Sequence, residues 1–547
     1  MIREIEIRNF RTFDNVKFSL GETITIISGH NATGKSTLLG LLGNCAEFKV
    51  KDGKPLLQTQ FRTEFSELFN GSERFDKSGY IARISYSNIE DFSKETDYRN
   101  IRVAWQTDDK KKRFRLIPYK KDESKESGKT EAKIHWPTLY VGLSRLYPFG
   151  EVNEKNSITT NQIKLNEEEN EWFIRNYKHI LNIKGEIKTI LCIDSSELIR
   201  KKPIGITTDT YDYMCNSAGQ DNIGQILLSI ISFERLKKMM EKRGENWEGG
   251  LLLIDEIDAT LHPAAQNKLY EIIYKKADDL KIQVVFTTHS LTLLRHICKK
   301  MMGSNDIRKK CRVVYLSSAN GPVGIEENPQ YASIENDMLI QSSFDSNLLD
   351  KIAVYSEDAE TRWFFKNLIE KYESKLNVLD IYLSCSDLLN IRTKDKRYFA
   401  NVLMVLDSDA RCKNSLCEKG NCTCKYENIL ILPENGKRPE QVIYDYLLNL
   451  PSDHEYLKTN KSKGITIKYI EENGPWSERY PENAKERDKF KKWFGDMERI
   501  FEDTNLFSFW KKDNKETADA FMDNFVRQYN KIAYPNLLEK IDDHDRN

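Results

Sequence analysis

The sequence predicts an α/β protein with more than one domain, and three observations support this prediction. A chain of 547 residues is long enough to bury two or three separate cores. Short apolar runs at residues 24–28 and 251–254 have the character of buried strands, and each leads directly into a polar or acidic loop. A similar run at residues 402–406, far along the chain, also ends in acidic residues and indicates a second sheet.

The composition is that of a soluble, highly charged globular protein. Charged residues make up 31% of the chain, hydrophobic residues 39%, and 84 acidic residues balance 84 basic ones. No apolar run has the length needed to span a membrane, and the charged N-terminus is unlike a signal peptide, so we expect a cytoplasmic protein without a membrane partner. The basic run at residues 110–121 predicts a solvated loop, with contact to nucleic-acid phosphates as the alternative.

A complete phosphate-binding loop follows the first of these strands. Its two glycines let backbone N–H groups wrap around phosphate oxygens, while Lys35 is expected to reach the β- and γ-phosphates and Ser36 to bind Mg²⁺. The apolar residues that follow begin a helix whose N-terminus faces the anion. Because strand, loop and helix occur in the required order, the pattern predicts an ATP site. Its residues are Gly29, His30, Asn31, Ala32, Thr33, Gly34, Lys35, Ser36 and Thr37.

The acidic half of the predicted ATP site lies far downstream. The strand at residues 251–254 ends in Asp255, which is expected to hold Mg²⁺, and in Glu256, which is expected to orient or deprotonate the attacking water. A third strand, at residues 284–288, ends at His289, where a histidine is well placed to sense the γ-phosphate. Lys35, Glu256 and His289 are therefore the predicted catalytic residues.

These motifs resemble those of the ABC ATPase superfamily. The resemblance makes Asp258 the D-loop aspartate and His289 the switch histidine, and it identifies residues 216–220 as a variant signature. The positions that keep the superfamily pattern are Ser217, Gly219 and Gln220. In this superfamily the signature of one subunit completes the ATP site of another, so the resemblance implies a homodimer or higher homo-oligomer with two ATP molecules at its interface. A Q-loop glutamine is also implied, and Gln58 and Gln60 are both candidates.

Three further segments refine the comparison. Residues 5–13 resemble the start of the RecF, SMC and OLD branch of the superfamily, which works on nucleic acids or in nuclease complexes. Residues 140–148 are similar to a segment of defence-system ATPases, and their sequence alone suggests no chemistry. The amphipathic stretch at residues 167–183 is too short for an SMC-like coiled coil and predicts a packing arm within the ATPase domain.

The C-terminal half places acidic residues at the ends of predicted strands. The strand at residues 352–356 precedes Glu357, and the strand at residues 402–406 precedes Asp407 and Asp409. This arrangement resembles a Toprim domain, whose glutamate and paired aspartates gather Mg²⁺ or Mn²⁺ for phosphodiester chemistry. The resemblance implies metal-binding roles for these three acids.

The Toprim resemblance has further consequences and two departures. It implies a weaker fourth ligand at Glu440 and an assisting lysine, either Lys491 or Lys492. Glycines expected after Glu357 and after a strand predicted at residues 379–383 are missing, which favours a degenerate domain and leaves intrinsic nuclease activity open.

A cluster of cysteines follows the paired aspartates. Four thiolates in a short loop could bind Zn²⁺ and pin the loop, or remain four free thiols, and both readings stay open because the spacing is unconventional. The residues are Cys412, Cys417, Cys422 and Cys424.

The predicted architecture is an α/β fold with an ABC-type P-loop ATPase domain at residues 1–345, a Toprim-like α/β domain at 346–450 and a helical C-terminal segment at 451–547. The whole chain is similar to the ATPase component of Septu antiphage defence systems and their retron-associated relatives. That resemblance implies a subunit that gates a separate HNH nuclease, with a retron reverse transcriptase and its nucleic acid as further partners. Two alternatives stay open: an OLD-type nuclease that cuts with its own Toprim-like acids, and a RecF-like DNA-repair ATPase.

Overall fold

The computed structural model describes residues 1–108, 111–121, 129–130, 133–146, 158–195, 203–341, 351–408, 428–433, 436–536, 538 and 540–541. The chain divides into two compact units, residues 1–341 and 342–547. Both units contain parallel sheet covered by helices, so the predicted α/β class is confirmed. Five predicted metal ligands lie outside the described residues. They are Asp409, Cys412, Cys417, Cys422 and Cys424.

The first unit combines parallel and antiparallel sheet with helices. In chain order its strands are β1 (Ile2–Phe10), β2 (Phe13–Ser19), β3 (Ile24–Gly29), β4 (Ala46–Phe48), β5 (Phe61–Arg62), β6 (Gly79–Ser87), β7 (Glu95–Asp108), β8 (Lys111–Lys121), β9 (Lys129–Thr130), β10 (Ile134–His135), β11 (Thr138–Val141), β12 (Ile158–Gln162), β13 (Ile187–Ser195), β14 (Ile204–Thr208), β15 (Leu251–Ile254), β16 (Gln283–Thr288), β17 (Cys311–Ser317) and β18 (Gly324–Glu327). Its helices are α1 (Lys35–Gly43), α2 (Phe65–Leu68), α3 (Glu167–Leu181), α4 (Ala218–Lys242), α5 (Pro263–Leu280), α6 (Leu291–Gly303), α7 (Asn305–Lys310) and α8 (Tyr331–Leu339), with 3₁₀ turns at Leu143–Leu146 and Tyr213–Cys215.

The parallel sheet of this unit positions the predicted ATP site. Its strands lie in the order β11-β15-β16-β3-β17-β18, and all neighbours are parallel except the edge pair β17 and β18. Strands β3, β15 and β16 are buried along their whole length, which explains why their sequences are continuous apolar runs. Because the carboxyl ends of parallel neighbours meet at one edge, the loops that follow these three strands lie side by side.

An antiparallel sheet packs beside it, with strands in the order β2-β1-β6-β7-β8-β9. The basic run at residues 110–121 predicts a solvated loop, and this prediction is wrong for residues 111–121, which form β8. Phe114 and Leu116 are buried while Arg113 and Arg115 are exposed. This alternation outweighs the high charge, because each apolar side chain reaches the core from one face of the strand. Smaller sheets in the orders β10-β4-β5 and β12-β13-β14 complete the unit.

Helix α1 and Gln283 join the two large sheets. The leucines of α1 lie in a core that includes Ile5 of β1 and Leu253 of β15. The fully buried side chain of Gln283 accepts a hydrogen bond from Ile2 N at 2.9 Å and donates to the carbonyls of Ile2 at 2.7 Å and Gly21 at 2.8 Å. One amide therefore satisfies three buried backbone groups at the junction of the sheets.

The amphipathic stretch at residues 167–183 contains α3, which packs against α4 and α5 within the first unit. Glu169 accepts a hydrogen bond from Arg235 Nε of α4 at 3.0 Å, and Lys276 of α5 lies over the ring of Trp172 at 5.3 Å. Helix α3 thus packs on α4, whose start contains the predicted signature, and on α5.

The second unit contains a parallel sheet with the strand order β20-β19-β21-β22. Its strands are β19 (Ile352–Ser356), β20 (Leu376–Val378), β21 (Leu403–Leu406) and β22 (Ile429–Ile431). Its helices are α9 (Ala359–Ile369), α10 (Cys385–Lys394), α11 (Pro439–Leu448), α12 (Glu455–Thr459), α13 (Ile467–Glu472), α14 (Glu486–Asp503), α15 (Leu506–Asp513) and α16 (Lys515–Asn536). The strand predicted at residues 379–383 is wrong, since β20 ends at Val378 and the alternate residues Asp380 and Tyr382 are exposed.

The C-terminal helices share their core with this sheet. A cluster rich in aromatic residues runs from Ile352 in β19 to Ile541. Trp363 of α9 packs edge-on against Phe494 of α14, with ring centroids 5.2 Å apart, and against Phe507 of α15 at 5.4 Å. Helices α12 to α16 therefore share one hydrophobic core with the sheet. In the described part of the chain, no helix is long and apolar enough to cross a membrane.

The Gln283 junction gives the first testable prediction. Gln283→Ala leaves three buried backbone groups without partners, so we expect the free energy of unfolding of the first unit to fall by about 3 kcal/mol. Urea unfolding followed by circular dichroism measures the change. The control is Gln330→Ala, since Gln330 is exposed and makes no capping hydrogen bond. Equal stability of both variants would contradict the role given to Gln283.

Candidate functional site

The loop between β3 and α1 has the geometry of a phosphate cradle. Gly29 and Gly34 adopt φ values of 143° and 95°. A Cβ at Gly29 would lie 2.1 Å from the carbonyl oxygen of Leu316, and one at Gly34 would lie 2.6 Å from the ring of Phe13, so only glycine fits either position. No side chain caps the N-terminus of α1. Its first N–H groups are therefore available to an anion.

Lys35 turns back into this loop. Its Nζ donates to the carbonyl oxygens of Gly29 at 2.9 Å and His30 at 2.6 Å. Burial lowers the pKa of Lys35 to about 8, against the opposing effect of Glu256 and Asp255. A phosphate oxygen would give this amine a charged partner in place of two neutral carbonyls, so the site favours an anionic ligand.

Asp255 joins the phosphate loop to the acidic strand. Its Oδ1 accepts hydrogen bonds from Ser36 Oγ at 3.1 Å and Thr287 Oγ1 at 2.7 Å, and its Oδ2 accepts one from Tyr140 OH at 3.2 Å. A hydroxyl and a carboxylate held in contact are the hard oxygen ligands that Mg²⁺ takes beside nucleotide phosphates, so Ser36 and Asp255 fit a bound magnesium ion. Tyr140 and Thr287 are site residues that the sequence motifs do not reveal.

Glu256 follows Asp255 in an unusual backbone conformation. Its φ is 47°, in the left-handed region. The N–H of Glu256 donates to Thr287 Oγ1 at 2.6 Å, and its carbonyl accepts from Arg145 Nη2 at 2.8 Å. Burial, and then the neighbouring charges of Asp255 and Asp258, raise the pKa of the Glu256 carboxyl. A raised pKa suits a group that accepts a proton from water.

His289 and Asp258 border the same edge of the sheet. His289 directly follows β16, and burial, then the charge of Lys35, lower its pKa, so the ring is neutral at pH 7. Asp258 interacts electrostatically with Lys35, His289 and Arg145. Its buried Oδ1 has no hydrogen-bond partner among the residues that the structure describes.

The predicted signature lies at the start of α4. Ser217 is the N-cap, and its Oγ accepts from Gln220 N while Gln220 Oε1 accepts from Ser217 N. Gly219 lies against the D-loop, where a Cβ would come within 2.8 Å of the carbonyl of Thr260. Within the described ranges, no hydrogen bond joins Ser217, Gly219 or Gln220 to residues 29–37. Ser217 is exposed and open to another molecule.

The two Q-loop candidates have different surroundings. Gln58 Nε2 donates to the backbone carbonyl of Tyr140 at 2.8 Å, and the side-chain hydroxyl of the same tyrosine contacts Asp255. Gln60 is part-buried near β5. Gln58 is thus the candidate that contacts a residue of the ATP site.

The second unit brings Glu357 and Asp407 together at the ends of β19 and β21. Glu357 Oε1 accepts from Asp407 N at 2.9 Å, and Glu357 Oε2 accepts from Cys385 N at 3.2 Å. Asp407 Oδ1 accepts from Thr361 Oγ1 at 2.5 Å. Burial, followed by the charges of Asp358 and Glu357, raises the pKa of Asp407 to about 8.

Asp358, Glu360 and Glu440 are further acids of this unit, and two of them pair with a lysine. Lys491 forms ion pairs with Asp358 and, at 3.3 Å, with Glu360, whereas Lys492 is exposed. Glu440 is buried, with a pKa raised to about 7 mainly by burial. Its Oε1 lies 3.7 Å from Arg438 Nε. In the part of the unit that is described, no three His, Cys, Asp or Glu side chains form a group suited to a metal ion.

Comparisons with known proteins agree with the nucleotide site. Residues 1–54 match the family described as "AAA ATPase domain", and residues 227–295 match the family described as "AAA domain, putative AbiEii toxin, Type IV TA system". The first match contains the phosphate loop and the second contains Asp255, Glu256 and His289. Two separate segments of the chain thus match ATPase-domain families, which supports ATP as the ligand of this site. No curated protein matches the sequence.

Solved structures of SMC heads are similar to this chain. The SMC head domain from Thermotoga maritima is 14% identical, with 59% of this chain and 98% of that chain covered and a TM-score of 0.29. An Smc head with an extended coiled coil, bound to the C-terminal domain of ScpA derived from Pyrococcus furiosus, is 11% identical, with coverage of 60% and 96% and a TM-score of 0.31. An SmcHead bound to the C-winged helix domain of ScpA is 16% identical, with coverage of 60% and 97% and a TM-score of 0.32.

The lowered pKa of Lys35 predicts the pH dependence of ATP binding. The amine is charged below its pKa of about 8 and loses its proton above it, and ATP binds the charged form better. We therefore expect ATP affinity to fall by up to about tenfold per pH unit above pH 8. Titration calorimetry between about pH 7.5 and 9.5 measures this. Lys35→Arg keeps its charge and should bind with a flat pH profile. A flat profile for the unsubstituted protein would contradict the assignment.

Proposed function

We propose that this chain is an ATP-hydrolysing subunit of an antiviral defence complex, in which the ATP state controls a partner nuclease. The observation that carries the ATPase part is the convergence of Lys35, the Ser36 and Asp255 pair and Glu256 at one edge of the parallel sheet. Phosphoryl transfer needs positioned charges and an oriented water, and this edge supplies groups for both.

Each residue has a separate task in this proposal. Lys35 leaves the loop carbonyls and holds the β- and γ-phosphate oxygens, which the N–H groups at the start of α1 also bind. Magnesium, when held by Ser36 and Asp255, neutralises charge on the same oxygens. Glu256, with its raised pKa, orients the attacking water and accepts its proton. His289, neutral at pH 7, donates a hydrogen bond toward the γ-phosphate.

A second copy of the chain completes the site in this proposal. Ser217 is exposed at the start of α4, and the signature has no hydrogen bond to its own phosphate loop within the described residues, which supports a role on another subunit. The D-loop lies beside them, because a Cβ at Gly219 would come within 2.8 Å of the carbonyl of Thr260, so we place the D-loop at the same interface. We infer a homodimer with two ATP molecules between the copies.

The test uses a variant that binds ATP and does not hydrolyse it. Glu256→Gln keeps the size of the side chain and removes the proton acceptor, so turnover should fall by about 100-fold or more while ATP binding persists. Light scattering should then show twice the monomer mass with ATP and magnesium. Lys35→Ala, the matched control, should remain a monomer. A Glu256→Gln variant that turns over ATP normally, or never pairs, would contradict the proposal.

The defence role rests on resemblance. The chain is similar to the ATPase component of Septu and retron-associated systems, and one matched family carries a toxin–antitoxin description. In this reading a partner nuclease, of HNH type, makes the cut. The acids of the second unit support it, because Lys491 pairs with Asp358 and Thr361 donates to Asp407, so both acids have partners within the unit.

A second candidate is an OLD-type nuclease that cuts by itself. The contact between Glu357 and Asp407 favours it, since it places two carboxyl groups at adjacent strand ends as metal-dependent nucleases require. Magnesium or manganese held by Glu357, Asp407 and Asp409 is the corresponding proposal. A RecF-like ATPase would instead bind duplex DNA with ATP and leave it uncut.

One assay separates these candidates. We expect the purified chain to leave DNA and RNA intact with magnesium or manganese, and an HNH nuclease that co-purifies with it to cut in a manner that depends on ATP and on Glu256. If the chain alone cuts nucleic acid, and if this activity is lost in Asp407→Ala and kept in Asp387→Ala, the chain is itself the nuclease. This result would contradict the proposal that it controls a partner nuclease. Asp387 is the control because it is exposed and only caps α10.

A further inference from the structure

The segment after β11 contains a buried arginine that bridges separate parts of the ATP site. Arg145 is 1% exposed. Its Nε donates to Asn222 Oδ1 at 2.7 Å, and its Nη1 donates to the carbonyls of Val141 at 3.2 Å and Gly142 at 2.9 Å. Its Nη2 donates to the carbonyl of Glu256 at 2.8 Å. Arg145 thus contacts the backbone of the predicted catalytic glutamate and a side chain of α4 at the same time.

Asn222 continues the connection. It is fully buried in the second turn of α4, which begins just after Ser217. Its Nδ2 donates to the carbonyl of Ala259, next to Asp258 in the D-loop, at 2.9 Å. The signature helix is therefore fastened to the segment after β15 at two points, one direct and one through Arg145.

The backbone of Glu256 needs such support. A left-handed φ of 47° costs a residue with a side chain about 1 kcal/mol or more. The N–H of this residue is held by Thr287, and its carbonyl is held by Arg145. Both sides of the strained residue are thus fixed by hydrogen bonds from other elements.

Arginine suits this position for a geometric and an electrostatic reason. Its planar fork reaches four acceptors in different directions, which the single amine of lysine does not do. Burial lowers the pKa of Arg145 to about 10, with Asp255 and Tyr140 acting in the opposite direction. The group therefore remains a cation at neutral pH, close to the acids that it positions.

We propose that Arg145 is a positioning residue that fixes the backbone of Glu256 and links it, through Asn222, to the signature helix of the same chain. This inference rests on the paired ATP sites of the proposed function. When the signature binds the nucleotide of a second copy, α4 and Arg145 set the position of Glu256 in the chain's own site. Hydrolysis in the two sites is thereby coupled.

The test compares Arg145→Lys with the unsubstituted full-length protein. Lysine keeps the charge and loses the fork, so we expect kcat for ATP to fall by about 10- to 100-fold while ATP affinity stays within about twofold. The Hill coefficient of ATP hydrolysis should fall from above 1 to about 1. Arg235→Lys is the control, because Arg235 lies on α4, the helix that Arg145 contacts through Asn222, but pairs with Glu169. Its kcat and Hill coefficient should not change.

Asn222→Ala is the second variant and breaks the link while the arginine itself is kept. It should also lower the Hill coefficient to about 1 with ATP affinity kept. Unchanged kcat and cooperativity in both variants would overturn the inference. So would equal losses of ATP affinity and kcat, because they indicate a merely structural role. If the unsubstituted protein hydrolyses no ATP, or Glu256→Gln has no effect, the proposed function itself fails, and the two failures are thus distinguishable.

Discussion

The ATP site depends on a balance of buried charge at one edge of the parallel sheet. Asp255, Glu256 and Asp258 follow a strand that is buried along its length, and Lys35 and Arg145 are the buried cations beside them. Burial lowers the pKa of both cations and raises that of Glu256, so each group is short of solvation. Charged substrate oxygens and a divalent cation would relieve this shortage, which explains how a site built from few residues selects a nucleotide. The glycine loop, the uncapped helix start and the strand order all place groups around this edge.

The sequence alone predicts those parts of the ATP site that are formed by residues close together in the chain. Strands β3, β15 and β16 appear as continuous apolar runs because both faces of the sheet are covered, and Gly29 and Gly34 are required by the backbone itself. The missing parts are long-range contacts. Tyr140 contacts Asp255 from 115 positions away and Arg145 contacts Asn222 from 77 positions away, and neither distance leaves a local pattern. In β8 the buried Phe114 and Leu116 alternate with arginines, which is a strand pattern. The high charge of the segment instead led to the prediction of a loop.

In the second unit, acidic residues also meet at the carboxyl ends of parallel strands, but their partners are different. Glu357 and Asp407 meet because β19 and β21 are parallel neighbours, as their positions after apolar runs predict. Lys491, on the distant helix α14, is one of the two assisting lysines that the Toprim resemblance implies, whereas no motif points to Thr361 of α9. They bind the oxygens of Asp407 and Asp358, so this acidic cluster is held by partners within the unit. The aromatic core explains why helices α12 to α16 belong with the sheet, because Trp493 and Trp510 are almost fully buried in that core.

The central claim is that two copies of the chain share each ATP site, and complementation between two inactive variants tests it most directly. Ser217→Arg blocks the signature and leaves the phosphate loop intact, while Lys35→Ala disables the loop and leaves the signature intact. Each variant alone should hydrolyse no ATP. In a mixture, the mixed pairs contain one complete site, so the account predicts that ATP hydrolysis returns as the variants are combined. A mixture that remains inactive, or a Ser217→Arg variant that is fully active alone, would contradict it.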